Sequence, residues 1–373
     1  MMQYRDFGKT GEKVSALGFG CMRLPTQNNL LHSIDEAEAT KIIREGIDQG
    51  INYIDTAFFY HNGKSEGFVG KALRDGYRDK VLLATKSPFG GFKFGFEFDK
   101  ILDTQLKRLQ TDHIDMYLLH AANLKSWKNV ALKFDLLSKM EKARDAGKIR
   151  YIGFSFHDNF DAFMTILNGY DRWDFCQIQY NYVNTDYQAG TKGLEAAAAK
   201  GLGVIVMEPL LGGKLATPTE NIKAALPEGV PPVQAALDFI WDRPEVSLLL
   251  SGMSNAQQVR ENLQYAEESR IGKLSDAQKA CYPKAKQIFD TAARVSCTHC
   301  DYCMPCPAGV EIPEIFACYN KSVADKNEAK KQYKKIKGAA QKCVSCGKCE
   351  AKCPQQLPIR EKLKEADAFF KGA

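Results

Sequence analysis

The sequence predicts an α/β protein, with a TIM-type (β/α)8 barrel over about the first 270 of its 373 residues and a small, mainly helical, cysteine-rich domain after it. Three observations carry this. Short β-branched or apolar runs alternate with longer stretches of helical period, the alternation recurs eight times, and eight of the twelve cysteines form two dense runs, Cys297–Cys306 and Cys343–Cys353.

The stretch Tyr4–Val14 reads as a hairpin closing the bottom of the barrel. Strands are predicted at Ser15–Phe19, Tyr53–Thr56, Val81–Thr85, Asp115–Leu119, Tyr151–Ser155, Gln177–Gln179, Val204–Met207 and Ser247–Leu250. Helical period runs through Glu36–Gln49, Asp99–Leu109, Phe134–Ala146, Leu194–Lys200 and Gln257–Glu268, and Gly50, Gly147 and Gly201 stand where a helix C-cap favours glycine. A doubly wound sheet is the competing layout. It is disfavoured because Gly18-Phe19-Gly20-Cys21-Met22-Arg23 lacks the third glycine of a dinucleotide fingerprint. The expected organisation is a barrel over 1–272, a linker helix over 273–290 and the cysteine-rich domain over 291–373.

Composition excludes several classes. With 26% charged and 45% hydrophobic residues the chain can bury a full core and is neither disordered nor fibrous. The start, Met1–Asp6, has no apolar h-region and no stretch approaches a membrane span, so a cytoplasmic protein without membrane association is expected. The net charge of +6 sits entirely in residues 291–373, which hold 15 Lys+Arg against 9 Asp+Glu.

In a (β/α)8 barrel the loops at the C-terminal strand ends form the active face. Asp55 ends the second strand, Tyr60 follows in its loop, Lys86 ends the third strand and His120 the fourth. Singly, each has a structural explanation as a cap, a core histidine or a solvated lysine. Four on successive strands of one face point to chemistry. These residues, in Asp55–Tyr60, Ala84–Ser87 and Asp115–His120, resemble in order and approximate spacing the Asp, Tyr, Lys, His tetrad of the aldo-keto reductase superfamily, over about residues 1–270.

The resemblance implies NAD(P)H-dependent reduction of a small aldehyde or ketone by hydride transfer, without a metal. The residue types suit that reaction. Negative charge grows on the carbonyl oxygen, and a positioned acid must supply a proton. Tyr60 is the implied donor. A Lys86 ammonium beside it would bring a phenol with an ordinary pKa of about 10 toward neutrality, Asp55 would hold Lys86 in place, and His120 would orient the carbonyl. His61 either lines the substrate pocket or, as is commoner, is an exposed loop histidine.

For the cofactor, the loops after strands seven and eight are the expected phosphate sites. Gly212 and Gly213 in Pro209–Lys214 would let backbone approach a pyrophosphate, and Gly252, Ser254, Gln258 and Asn262 in Ser251–Asn262 open the last helix. By the resemblance, Ser155 and Gln177 hold the nicotinamide carboxamide, Arg23 touches the pyrophosphate, and Met207 replaces the usual aromatic platform. Where many NADP-preferring members carry a cation for the 2′-phosphate, this chain has Met253 and Gln258, with Arg260 as the only nearby replacement. These types favour NADH over NADPH. Cys21, at the top of strand one, would face the cofactor, and Phe89, Phe92, Phe94, Phe96 and Phe98 would line an apolar pocket or pack the barrel top.

The C-terminal module has the sharper motif. Cys343-x2-Cys346-x2-Cys349-x3-Cys353-Pro354 has the bacterial ferredoxin spacing, and Cys297-x2-Cys300-x2-Cys303-x2-Cys306-Pro307 is the same run shortened by one residue. Resemblance to two-cluster ferredoxins assigns Cys297, Cys300, Cys303 and Cys353 to one [4Fe-4S] cluster, and Cys306, Cys343, Cys346 and Cys349 to the other. Helices are expected in Ile312–Lys337 between them. Zinc is the rival reading, but zinc cysteines usually come as separated pairs. Disulfides fit poorly without a signal peptide. Cys21, Cys176, Cys281 and Cys318 read as unbridged thiols.

A cubane passes one electron whereas a nicotinamide accepts a hydride, which leaves two enzyme classes. One is a carbonyl reductase that also carries clusters. The other is an electron-transfer oxidoreductase that takes electrons from ferredoxin to a substrate, or to a flavin for which no motif is present. A non-catalytic redox sensor is the third reading. Two oxidised clusters at about −2 each would cancel about four of the six positive charges. The Lys-rich stretch Lys321–Lys342 then reads as a dock for an acidic ferredoxin rather than for nucleic acid.

Overall fold

Inward and outward side chains alternate along the strands, as the pleat requires. In the computed structural model, residues 1–29, 33–89, 97–292, 294–323 and 326–371 are described, so Phe92, Phe94 and Phe96 lie outside the described residues. Strands β1 (Tyr4–Asp6) and β2 (Lys13–Ser15) form the expected hairpin. Strands β3 (Leu17–Gly20), β4 (Tyr53–Asp55), β5 (Leu82–Ser87), β6 (Ile114–Ala122), β7 (Ile149–Phe156), β8 (Phe175–Gln179), β9 (Gly203–Met207) and β10 (Leu248–Ser251) close into a parallel barrel, with β10 paired to both β9 and β3. All eight predicted barrel strands are present.

Tyr53, Leu82, Ala84, Met116, Leu118, Phe175, Ile205, Leu248 and Leu250 fill the barrel interior, joined by Phe7 from the hairpin. Phe7 is fully buried, 5.4 Å from Phe175 and 6.3 Å from Tyr53 between ring centres. Gly203 makes room for it, since a Cβ there would stand 2.8 Å from the Phe7 ring. The alternate residues, such as Ile54, Leu83, Tyr117 and Leu119, face the helices in a second apolar layer. Burying each such side chain stabilises the fold by roughly 1.5–3 kcal/mol. Three of the helices start on side-chain caps: Asp35 for Glu36–Asp48, Asn159 for Phe160–Asn168 and Asn255 for Ala256–Glu267.

The chain divides into two compact units, Met1–Leu210 with Val233–Asp276, and Leu211–Pro232 with Ala277–Ala373. Leu211–Pro232, which chain order alone assigns to the barrel, thus packs with the cysteine-bearing unit. Its helix Glu220–Ala225 lies against the helix Cys281–Ala292. The second unit also contains the helices Ile312–Lys321, Lys326–Lys335 and Ile359–Lys371. Val310, Ile315, Phe316, Tyr319, Leu363 and Phe370 form its core, with Tyr333 stacked on Phe370 at 4.2 Å.

Candidate functional site

The inward parity of the strands continues into the barrel mouth. Two residues beyond the interior Tyr53 comes Asp55; Lys86 follows Ala84, His120 follows Leu118, Gln177 follows Phe175 and Met207 follows Ile205. Strand register sets β4 and β5 side by side with Asp55 opposite Ala84. Lys86 is buried and its ammonium donates to both oxygens of Asp55 at 2.7 Å and to the Thr56 carbonyl at 2.8 Å. Burial pulls the Lys86 ammonium down and pushes the Asp55 carboxyl up, each opposed by the charge of the other.

Tyr60 stands on the loop after β4, where His61 and Asn62 both adopt left-handed backbone (φ +51° and +56°). Its hydroxyl is 3.4 Å from the Lys86 ammonium, and its ring lies edge-on to His120 at 6.0 Å between centres. An ammonium has three protons, and Asp55 and Thr56 take the three shortest contacts. Lys86 therefore acts on Tyr60 chiefly as a nearby charge. Burial, then Lys86, then His157 hold the His120 imidazole well below the ordinary histidine range, hence neutral.

His157 is the residue that motif reading missed. It lies one position past β7 and two past Ser155, so the same parity would have found it. Its Nδ1 is 3.2 Å from Gln188 Oε1, and burial pushes its pKa down to about 4, with a further lowering by Lys86. His61 is not the exposed loop histidine expected. It is buried, and its Nε2 accepts from the Leu24 N–H at 3.3 Å. Cys21 is fully buried in the apolar layer, with its thiol pushed up by burial and then by Asp55, opposed by Lys86.

The Ser155 hydroxyl accepts from Ala121 N–H at 2.7 Å and donates to the Leu119 carbonyl at 3.4 Å, bracing the irregular stretch of β6 that carries His120. Gln177 is buried. Its Nε2 approaches Met207 Sδ at 3.5 Å, while its Oε1 has no hydrogen-bond partner among the described residues. A buried orphan acceptor is costly, at roughly 1–3 kcal/mol, unless a ligand donor meets it.

Arg23, Gly252 and Ser254 lie together. The Ser254 hydroxyl donates to the Arg23 carbonyl at 2.8 Å, and a Cβ on Gly252 would sit 3.2 Å from Arg23 Cβ. Gln258 Oε1 accepts from Ser254 N–H at 2.7 Å, and Asn262 Nδ2 donates to Ser251 Oγ at 2.9 Å. Met253 is fully buried in the apolar layer, because an apolar side chain in this loop gains by turning inward. Arg260 is paired with Glu45 at 3.3 Å.

Gly212 (φ +65°) does serve a close approach, but to protein. A Cβ there would stand 2.4 Å from the Thr298 carbonyl oxygen. Lys214 donates to the Val295 carbonyl at 3.3 Å. Gly213 (φ +93°) would place a Cβ with nothing within 4 Å.

In the cysteine-bearing unit, Cys297, Cys300, Cys303 and Cys353 line one cavity. Cys303, Cys306, Cys343, Cys346 and Cys349 line a second. The Cys303 thiol is pushed up to about 12, first by burial and then by Cys300, Cys297 and Cys353. Among the described residues no three His, Cys, Asp or Glu side chains converge tightly enough to hold a single metal ion. Cysteines spread around a cavity suit a polynuclear group better than one zinc.

Comparison with known proteins agrees with this geometry. Residues 16–278 match the Aldo/keto reductase family and residues 296–358 match the 4Fe-4S dicluster domain. The chain is 30% identical over 286 residues to the L-galactose dehydrogenase of Arabidopsis thaliana, covering 70% of this chain and 87% of that one. An aldo-keto reductase of Bacillus halodurans in its holo form superposes with a TM-score of 0.64 at 28% identity, over 76% of this chain and 96% of that one. A Klebsiella pneumoniae aldo-keto reductase in complex with NADPH gives 0.62 at 25% identity, over 76% and 95%. The chain is an oxidoreductase that belongs to the aldo/keto reductase family and carries, after its barrel segment, a 4Fe-4S dicluster domain.

Proposed function

We propose that the protein reduces a small aldehyde or ketone with a nicotinamide cofactor, Tyr60 giving the proton. The observation that carries this is the Lys86 ammonium, 3.4 Å from the Tyr60 hydroxyl and anchored on both oxygens of Asp55. The nicotinamide, when bound, supplies the hydride. Tyr60 donates its proton to the carbonyl oxygen as charge grows there, and Lys86 stabilises the tyrosinate that remains. Asp55 positions Lys86. Neutral His120 offers an N–H to the same oxygen, which an imidazolium would do only at the cost of a second buried cation beside Lys86.

The unpartnered Gln177 Oε1 supports a carboxamide donor in the barrel mouth, next to Met207 and Ser155. Arg23, Gly252, Ser254, Gln258 and Asn262 would hold the rest of the dinucleotide. Arg260 is the only cation of Ser251–Asn262 and is already paired, which favours NADH. Paired fluorescence titrations with NADH and NADPH test that preference. Tyr60→Phe tests the proton donor: NAD(P)H-linked carbonyl reduction should fall by about 10²- to 10⁴-fold with nucleotide binding kept. Wild-type turnover in the variant would remove Tyr60 from this role.

The two cavities support one [4Fe-4S] cluster on Cys297, Cys300, Cys303 and Cys353 and one on Cys306, Cys343, Cys346 and Cys349. The clusters, when bound, supply one-electron storage and transfer. A second reading, an electron-transfer oxidoreductase fed by an acidic ferredoxin, rests on Cys303 lining both cavities. Cys303→Ser with Cys349→Ser separates the two. Unchanged NAD(P)H-linked turnover in a folded, cluster-depleted protein would rule out an obligatory relay.

A further inference from the structure

We propose that the segment 342–352 is a docking surface for an acidic one-electron carrier protein. The inference rests on the reading of the two cysteine runs as cluster ligands, and three independent observations meet in this segment.

Val344 is 69% exposed, more than any other large apolar side chain among the described residues except the terminal Met1. It also lines the cavity of Cys343, Cys346 and Cys349, as do Lys348 and Lys352. Cys346, two residues on, is the one exposed cysteine of the eight in the two runs. A ligand sulfur at the surface brings the edge of a redox centre within short reach of a partner. Lys342, Lys348 and Lys352 are exposed around them. The segment's only acid, Glu350, is already neutralised by Arg360, which meets its Oε2 at 2.9 and 2.7 Å and donates its backbone N–H to Oε1 at 2.8 Å.

An apolar contact point ringed by cations that form no ion pair among the described residues is the arrangement that steers and seats a carrier of opposite charge. Contacts of this kind are small and short-lived, so one exposed valine is an adequate centre. A second copy of the chain meeting this segment through the same segment would set lysines against lysines. The transfer balances simply: the carrier loses one electron and the cluster gains one, with no bond broken and no proton moved.

The test uses the full-length holoprotein and a reduced plant-type [2Fe-2S] ferredoxin as probe. Stopped-flow reduction by ferredoxin should slow with rising ionic strength. In Lys348→Glu/Lys352→Glu, with iron content matched to wild type, it should fall tenfold or more, while reduction by dithionite is unchanged. Carbodiimide coupling of ferredoxin carboxylates to the wild-type protein needs no variant and should map to Lys342, Lys348 or Lys352. Cross-links confined to Lys326–Lys335, a ferredoxin rate blind to both salt and the variant, or self-association abolished by the variant with the ferredoxin rate intact would each overturn the docking surface. A wild-type protein with no [4Fe-4S] absorption or EPR signal would instead overturn the cluster reading, and this proposal with it.

Discussion

The Lys86 ammonium stands 2.7 Å from each carboxylate oxygen of Asp55, both groups all but excluded from solvent. Removing one partner of such a pair strands the other charge. Asp55→Asn or Lys86→Met alone should cost about 3–5 kcal/mol in urea unfolding, and the Asp55→Asn/Lys86→Met double variant should recover most of it while remaining inactive. Additive losses in that cycle would show that the pair is not coupled.

Gln177→Leu removes the orphan acceptor. Stability should hold or rise, because a buried unsatisfied oxygen is lost, whereas the Kd for nicotinamide dinucleotide should increase about tenfold, the worth of one hydrogen bond of roughly 1.4 kcal/mol. Calorimetric titration and thermal unfolding of the same samples separate the two effects.

His157 makes stability pH-dependent in a definite direction. Its folded pKa of about 4 lies below the ordinary 6.5, so the unfolded chain binds the extra proton and stability is lost as pH falls from about 6.5 toward 4. In His157→Gln the slope of unfolding free energy against pH across that window should shrink by up to about one proton. A slope identical to wild type would mean that His157 stays solvated.

Gly212 and Gly213 should separate although they are neighbours. Gly212→Ala drives a methyl against the Thr298 carbonyl and should destabilise the cysteine-bearing unit by about 1–3 kcal/mol, read as faster iron release. Gly213→Ala meets no atoms and should show only the left-handed backbone penalty of about 1 kcal/mol.

Lys214, bonded to the Val295 carbonyl, also acts electrostatically on Cys297. A cation near a cluster favours the added electron. Lys214→Met should lower the midpoint potential of one cluster in an EPR redox titration and leave the other nearly unmoved, with Lys214→Arg close to wild type.

What could be read without coordinates is what depends on local chemistry and period. Parity of two along a strand, continued past Tyr53, Ala84, Leu118 and Phe175, places Asp55, Lys86, His120 and Gln177 at one mouth, and cysteine spacing announces its own chemistry. The same parity points to His157, although no motif marks it. Other features were decided only by the fold. The burial of Met253 and His61 depends on which neighbours compete for core volume. The packing of Leu211–Pro232 with the cysteine-bearing unit depends on Thr298 and Val295, more than 80 residues away in sequence. Side-chain period is written residue by residue along the chain, whereas long-range packing is settled by contacts that no local pattern encodes.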